Sequence, residues 1–235
     1  MRNEFIFDGI PSSDFETYVA SSNFLNGASR DVQVIQIPGR NGDLTLDNKR
    51  FNNFVLTENL YITEDVQNNA DALRNFLGVH SNTYYTFEET LTPEIFRTAR
   101  FSGSFQMATF DHIGGGLTIE FDCKPQRFLK SGTVMQEITS GSTLNNPTAF
   151  ASQPLIRIYG NGTLTIGTQT VTVAGNTNAY VDVDSEVMDC FYGTTNLNSK
   201  VALSGHEFPV LNPGANAITY TDITKVEITP RWYMI

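Results

Sequence analysis

Runs of alternating apolar and polar residues occupy most of the chain. NEFIFDG, VQVIQI, LTLDN, FVLTENLYIT, ARFSGSF and GLTIEFDC place apolar side chains at every second position, the period of a strand with one covered face. The same period returns in PLIRIYGNG, LTIGTQTVTV, AYVDVD and VEITPRWY. Gly, Asn, Asp or Pro cuts each run short, a spacing that predicts sandwiches or barrels. One segment breaks the period. In EDVQNNADALRNFLGV, Val66, Ala70, Leu73 and Leu77 recur at helical spacing, which predicts a helix laying that stripe on a sheet, with Gly78 as its stop. Its polar face has no cluster of Lys and Arg, so it does not read as a membrane-surface helix.

From residue 130, KSGTVMQEITSGSTLNNPTAFASQP is rich in Ser, Thr, Gly and Asn with little alternation. This stretch reads as a connection between an N-terminal α+β unit, residues 1–135, and an all-β C-terminal unit, residues 136–235. Gly114, Gly115 and Gly116 read as a flexible hairpin tip inside the first unit.

In VIQIPGRNGDLTL, residues 34–46, two strand-like runs flank a loop holding Gly39, Arg40, Gly42 and Asp43. Pro38 fixes its own φ and biases Ile37 toward extended backbone. Asn41-Gly42 tolerates the positive φ that both central residues of a type I′ turn require, which predicts a tight hairpin. A phosphate loop of the Walker kind needs Gly-x-x-x-x-Gly-Lys-Ser/Thr ahead of a helix. Here the glycines lie three apart, no Lys follows, and Leu44 opens another strand. The loop is a turn, and the local pattern alone assigns Arg40 no role.

Composition narrows the function classes. The 235 residues suit one large β domain or two small ones, and 17 Phe against 17% charged residues describe a folded chain. Net charge is −10, and no basic run is interleaved with aromatics, so nucleic-acid binding is not the expected function. The first residues lack the apolar core of a signal peptide and no window reaches transmembrane length, so synthesis and folding in a cytoplasm, with no membrane insertion, are expected. Cys123 and Cys190 read as buried reduced thiols, and Asn161-Gly162-Thr163 as a turn.

Candidate chemistry is sparse. His80, His112 and His206 are isolated and lack metal-ligand spacing, and no Gly-x-Ser-x-Gly elbow occurs. A glycosidase carboxylate pair is defined in space and not by sequence spacing. Asp182, Asp184, Glu186 and Asp189 are the densest acids, but they lack the Gly and Glu of an EF-hand loop. Strand alternation places Asp182 and Asp184 on a solvated face opposite Val181 and Val183. A sugar platform needs exposed aromatic faces. The sole Trp, Trp232, lies at the end of the chain, which leaves Tyr159, Tyr180 and Tyr192 as the candidates for glycan contact.

Several longer phrases carry more information in order than singly. The chain opens with FIFDGIPSSDFETYV and RDVQVIQIPGRNGDLTLD, and continues with TPEIFRTARFSGSF, IEFDCKPQRFLKSG and SQPLIRIYGNGTLTI. It closes with FPVLNPGANAITY and VEITPRWYMI. Over nearly its whole length the chain resembles the distal tail protein (Dit) family of long-tailed, non-contractile bacteriophages. That resemblance implies a mainly β protein: a ring-forming domain over 1–135, with one helix packed on a β-sandwich, then a galectin-like β-sandwich over 136–235. It implies a structural hub without enzymatic activity, catalytic residues, cofactor or metal. Six copies would form a ring, single or stacked, joining the phage tail tube protein to the tail-associated fibre or lysin protein while DNA passes through. The expected location is the virion tail tip, after synthesis in the host bacterial cytoplasm.

By the same resemblance, IPGRNGD matches a Gly-Arg-x-Gly turn near the start of the ring domain. Arg40, with Gly39 and Gly42, is therefore the interface candidate. An Arg on a stiff turn can pair with a neighbouring subunit, or it can cap backbone carbonyls of its own. The alternative function is a carbohydrate-binding module for adsorption to the host surface. Larger relatives insert such modules, but this chain has no room for one, and a galectin-like fold does not by itself establish sugar binding.

Overall fold

The computed structural model describes residues 2–110 and 114–235, with the side chains of residues 109 and 110 outside the description. His112 lies outside the described residues, and of the glycines expected at a hairpin tip, Gly114 precedes a strand that Gly115 and Gly116 open. The chain is mainly β and forms two compact units. They divide between Arg127 and Phe128, earlier than the division after residue 135 that composition suggests, and Ile235 belongs with the first unit.

The first unit contains β1 (Phe5–Phe7), β2 (Ile10–Pro11), β3 (Thr17–Ser22), β4 (Arg30–Ile35), β5 (Leu44–Phe51), β6 (Phe54–Ile62), α1 (Val66–Val79), β7 (Tyr85–Glu89), β8 (Ile95–Phe110) and β9 (Gly115–Leu129). Its main sheet runs β2-β1-β7-β8-β9-β6-β3. β9 alternates strictly, burying Leu117, Ile119, Phe121 and Cys123, as its period predicts. Val66, Ala70, Leu73 and Leu77 of α1 are all buried, in one core with the sheet. Gly78 does not stop the helix, which continues to Val79. The core is built from phenylalanines. Phe7 meets Phe121 edge-on at 5.0 Å between centroids, and Phe5 stacks on Phe87 at 5.5 Å.

Arg97 is buried within this phenylalanine core, fully covered, yet among the described residues its guanidinium bonds backbone carbonyls and no carboxylate. It donates to the Phe24 carbonyl at 2.8 and 3.1 Å and to the Asn26 carbonyl at 2.6 Å, between the rings of Phe24 and Phe54. Burial pulls its pKa down to about 10. The side chain thereby pins the loop between β3 and β4.

The second unit contains β10 (Gln136–Ile138), β11 (Ser142–Asn146), β12 (Leu155–Ile166), β13 (Gln169–Val173), β14 (Val181–Asp184), β15 (Asp189–Tyr192), β16 (Thr195–Asn196), β17 (Val201–Leu203), β18 (Gly214–Thr229) and β19 (Tyr233–Met234). Antiparallel β12 and β18 pair from Leu155↔Thr229 to Ile166↔Ile218, with a bulge around Gly160 to Thr163. On one side of the bulge they carry β14 and β10, and on the other β13 and β11. Ile156, Ile158, Leu164, Ile166, Val183 and Ile228 from both halves share one core, the arrangement of a sandwich.

Two expectations fail here. Residues 136–138 and 142–146 are strands on β18, not a connection. Their Asn, Ser and Thr suit an edge position with one exposed face. Asn161-Gly162-Thr163 is not a turn but the bulge inside β12. Asn161 donates to the Asn176 carbonyl and accepts from its N–H, and a Cβ on Gly162 would lie 2.3 Å from the Thr221 oxygen. Trp232 is 4% exposed and packs against Gly132, where a Cβ would fall 2.4 Å from its backbone nitrogen.

Candidate functional site

β4 and β5 form a separate two-stranded sheet that, among the described strands, pairs with no other strand. In an antiparallel pair, opposed residues share a face. Val32 and Val34 therefore lie with Asp47 and Thr45 on one face, and Ile35 with Leu44, Gln33 with Leu46 on the other. Neither face is covered: Val34 is 57% exposed and Leu46 53%. Alternation in VQVIQI and LTLDN predicts a half-buried hairpin, but the structure leaves apolar residues bare on both sides. An isolated two-stranded hairpin is marginal in water. Exposed, flat and apolar, this arm is the surface of the first unit that most needs a covering partner.

Ion pairs hold the arm's base. Arg30 bonds both oxygens of Asp47, at 2.9 and 2.7 Å, and Arg50 donates to Asp31 at 2.6 Å. These bonds pull the Asp47 and Asp31 carboxyls below their usual range. As exposed pairs they contribute chiefly to register. Arg30 also lies over the Phe51 ring at 4.8 Å.

The tip is an eight-residue loop, 36–43, rather than a two-residue type I′ turn. The Arg40 N–H donates to the Ile37 carbonyl at 3.2 Å. With Pro38 next and Gly39 at φ +80°, this is the form of a type II turn. Gly42 also has φ +80°, whereas Asn41 keeps an ordinary φ, which rules out the I′ geometry. Nothing lies within 4 Å of a Cβ on either glycine, so backbone conformation and not space requires them. Arg40 is exposed, and its guanidinium has no partner among the described residues of its own chain. The arrangement thus offers a free bidentate donor at the end of a two-sided apolar arm. It does not show Arg40 capping its own carbonyls.

The acidic cluster is spent on arginines. Asp182 and Asp184 are buried, at 4% and 6% exposure, and do not lie on a solvated face. Arg157 grips both Asp182 oxygens at 2.8 and 2.9 Å, and Arg231 grips those of Asp184 at 2.6 and 2.9 Å. Burial pushes the Asp184 carboxyl up, but Arg231 outweighs it and holds the group below its usual range. Asp189 accepts from Asn196 and Asn198. Among the described residues no group of His, Cys, Asp and Glu has the geometry of a metal site. His80 sits between the Phe76 carbonyl and Asp8. Both cysteines are buried and free, with burial pushing each thiol up to about 12.

Tyr159, Tyr180 and Tyr192 do come together, with centroids 5.7 and 4.8 Å apart along the row. Their faces are already used. Arg157 lies over Tyr180 at 4.0 Å and Lys225 over Tyr159 at 5.3 Å, while the Tyr159 hydroxyl donates to Glu227. On Tyr159 and Tyr180, cations occupy a face on which a sugar ring would stack.

No protein-family model and no curated protein matches the chain. Solved structures do. The Dit protein of phage SPP1, described as a paradigm of hub adsorption apparatus in phages infecting Gram-positive bacteria, is similar over 100% of both chains, with TM-score 0.79 at 13% identity. A chain of the phage P2 baseplate in its activated conformation with calcium is similar over 97% of both chains, with TM-score 0.56 at 10% identity. Its strontium counterpart gives TM-score 0.54, also at 10% identity. At such identities the likeness is one of fold, and it runs from end to end: the chain has the fold of the phage tail-hub protein Dit.

Proposed function

We propose that the chain is a non-enzymatic structural hub of a phage tail tip. In this reading six copies close into a ring that joins the tail tube to the fibre or lysin protein and leaves a passage for DNA. The single observation that carries it is the β4–β5 arm, whose two apolar faces stand exposed in an isolated chain. Such an arm is stable only when another surface covers it. A head-to-tail contact that closes after a fixed rotation supplies that surface for every copy, without leaving a bare arm. The end-to-end likeness to hub and baseplate proteins supports the same reading. Arg40, held outward by Gly39 and Gly42, is the arm's polar anchor.

The test is the mass of the purified full chain by sizing and light scattering at micromolar concentration and physiological salt. Hexamers, or stacked pairs of them, are expected. A monomer at these concentrations counts against the ring.

A further inference from the structure

A small cavity of about 150 Å³ opens at the loop that follows β3, lined by Asn3, Ser22, Asn26, Glu89, Leu91 and Thr92 among others. Glu89 is 3% exposed, and behind it lies Glu58, fully buried. Both carboxyls share one hydroxyl: Ser22 Oγ lies 2.7 Å from Glu58 and 2.5 Å from Glu89, and accepts from the Phe24 N–H at 3.0 Å.

A serine hydroxyl holds a single hydrogen, which it can donate to only one of the two carboxyls. The other must donate to the serine, so the pair retains at least one proton. Burial, then the facing Glu89, pushes Glu58 up to about 10. Arg97, a buried cation of the same core, is committed to the Phe24 and Asn26 carbonyls. Glu58 Oε2 and the cavity-lining Thr92 Oγ1 are buried without a hydrogen-bond partner in the described residues. The site is thus a built acceptor pocket that lacks a donor.

The same unit displays a donor that lacks an acceptor, the Arg40 guanidinium. An extended strand advances about 3.3 Å per residue, so β4 and its loop carry Arg40 roughly 20–30 Å from the arm's base. A unit of this size has a radius of gyration of roughly 14 Å, so the arm can span a neighbour. Its own tip cannot return to its own base, because β4 and β5 pair along their length.

We propose that this cavity receives the Arg40 side chain of a second copy of the chain, whose guanidinium pairs with Glu89 and donates to Thr92 Oγ1. Each copy then offers its tip to one neighbour and its cavity to the other. This deepens the ring reading and rests on it.

Two experiments on the full chain test it. In the first, assembly is titrated for wild type, Arg40→Ala, Glu89→Gln and the double variant. Each single change is expected to weaken assembly by at least about tenfold, and the double change to cost no more than the worse single one. Independent, multiplying losses overturn the pairing, as does an Arg40→Ala chain that assembles like wild type.

The second experiment is insensitive to any folding defect of Glu89→Gln. Asn41→Cys and Leu91→Cys alter two exposed positions and leave Arg40 in place, Leu91 being 70% exposed on the cavity rim. A short bis-maleimide is expected to link position 41 of one copy to position 91 of the next, giving a ladder of covalent multimers. Rings that form without this ladder overturn the cavity proposal alone, and are the result if water or another tail protein fills the cavity. A wild-type chain that stays monomeric overturns the ring reading and the proposal with it.

Discussion

Asp184 shows how far a residue's surroundings can depart from its sequence neighbourhood. In AYVDVD it reads as an exposed acid, but Arg231, 47 residues away, covers it. Asp184→Asn is therefore expected to cost about 1–3 kcal/mol, the range for weakening a largely buried ion pair, and thermal melting measures it. The loss should shrink in strong acid. Asp184 is held below its ordinary value, so its contribution is present above that value and disappears as pH falls through the folded-state pKa. Glu58 behaves in the opposite sense. Its folded pKa is raised from 4.5 to about 10, so above pH 4.5 the unfolded chain ionises while the folded one does not. Stability falls as pH rises, by up to about 3 kcal/mol between pH 5 and pH 7. Glu58→Gln removes that slope: its melting temperature relative to wild type should rise between pH 5 and pH 8. A flat difference would show that the pair is ionised in the fold. In FVLTENLYIT the period puts Glu58 on the same face as Leu56 and Leu60, but the partners that make a buried acid tolerable there, Ser22 and Glu89, come from other strands.

At the scale of the element, period and stop signals performed unequally. The helical stripe and the β9 alternation are local, so the sequence displays them, and the structure buries the same residues. What local pattern lacks is the identity of the covering surface. The arm alternates like any half-buried hairpin, yet pairs with nothing beyond itself. β10 and β11 look like linker because a polar edge strand and a loop share the same residues. The tip was legible as a turn but not in its type, since Pro38-Gly39 won over Asn41-Gly42. Replacing residues 31–50 by a short Gly-Ser turn is expected to leave the melting temperature of the unassembled chain within a few degrees of wild type, because β4 and β5 add no strand to the main sheet. The same change should abolish multimers on a sizing column. Multimers that survive it would place the contact elsewhere in the chain.

For the whole molecule, the end-to-end fold was legible only from the order of several phrases, because no single motif carries it. Its charge bears on the proposed passage for DNA. Six copies at −10 each total 6 × (−10) = −60. Salt confines the resulting field to within about 8–10 Å of the surface. The assembled protein is expected to pass through a double-stranded DNA column unretained at physiological salt. Retention would mean that Lys and Arg concentrate on a surface facing the DNA.

The bare faces of the β4–β5 arm also bear on the order of events during growth. In the proposed ring, a row of two, three or five copies would end in one uncovered arm and one empty receiving surface, so each incomplete row would remain reactive. Only closure removes both ends at once. Copies should therefore pass quickly from singles to complete circles, and truncated arcs should be scarce at every concentration. A cell that makes the chain faster than circles can close would accumulate sticky arcs instead, which makes the rate of supply, and not just the amount, a determinant of yield.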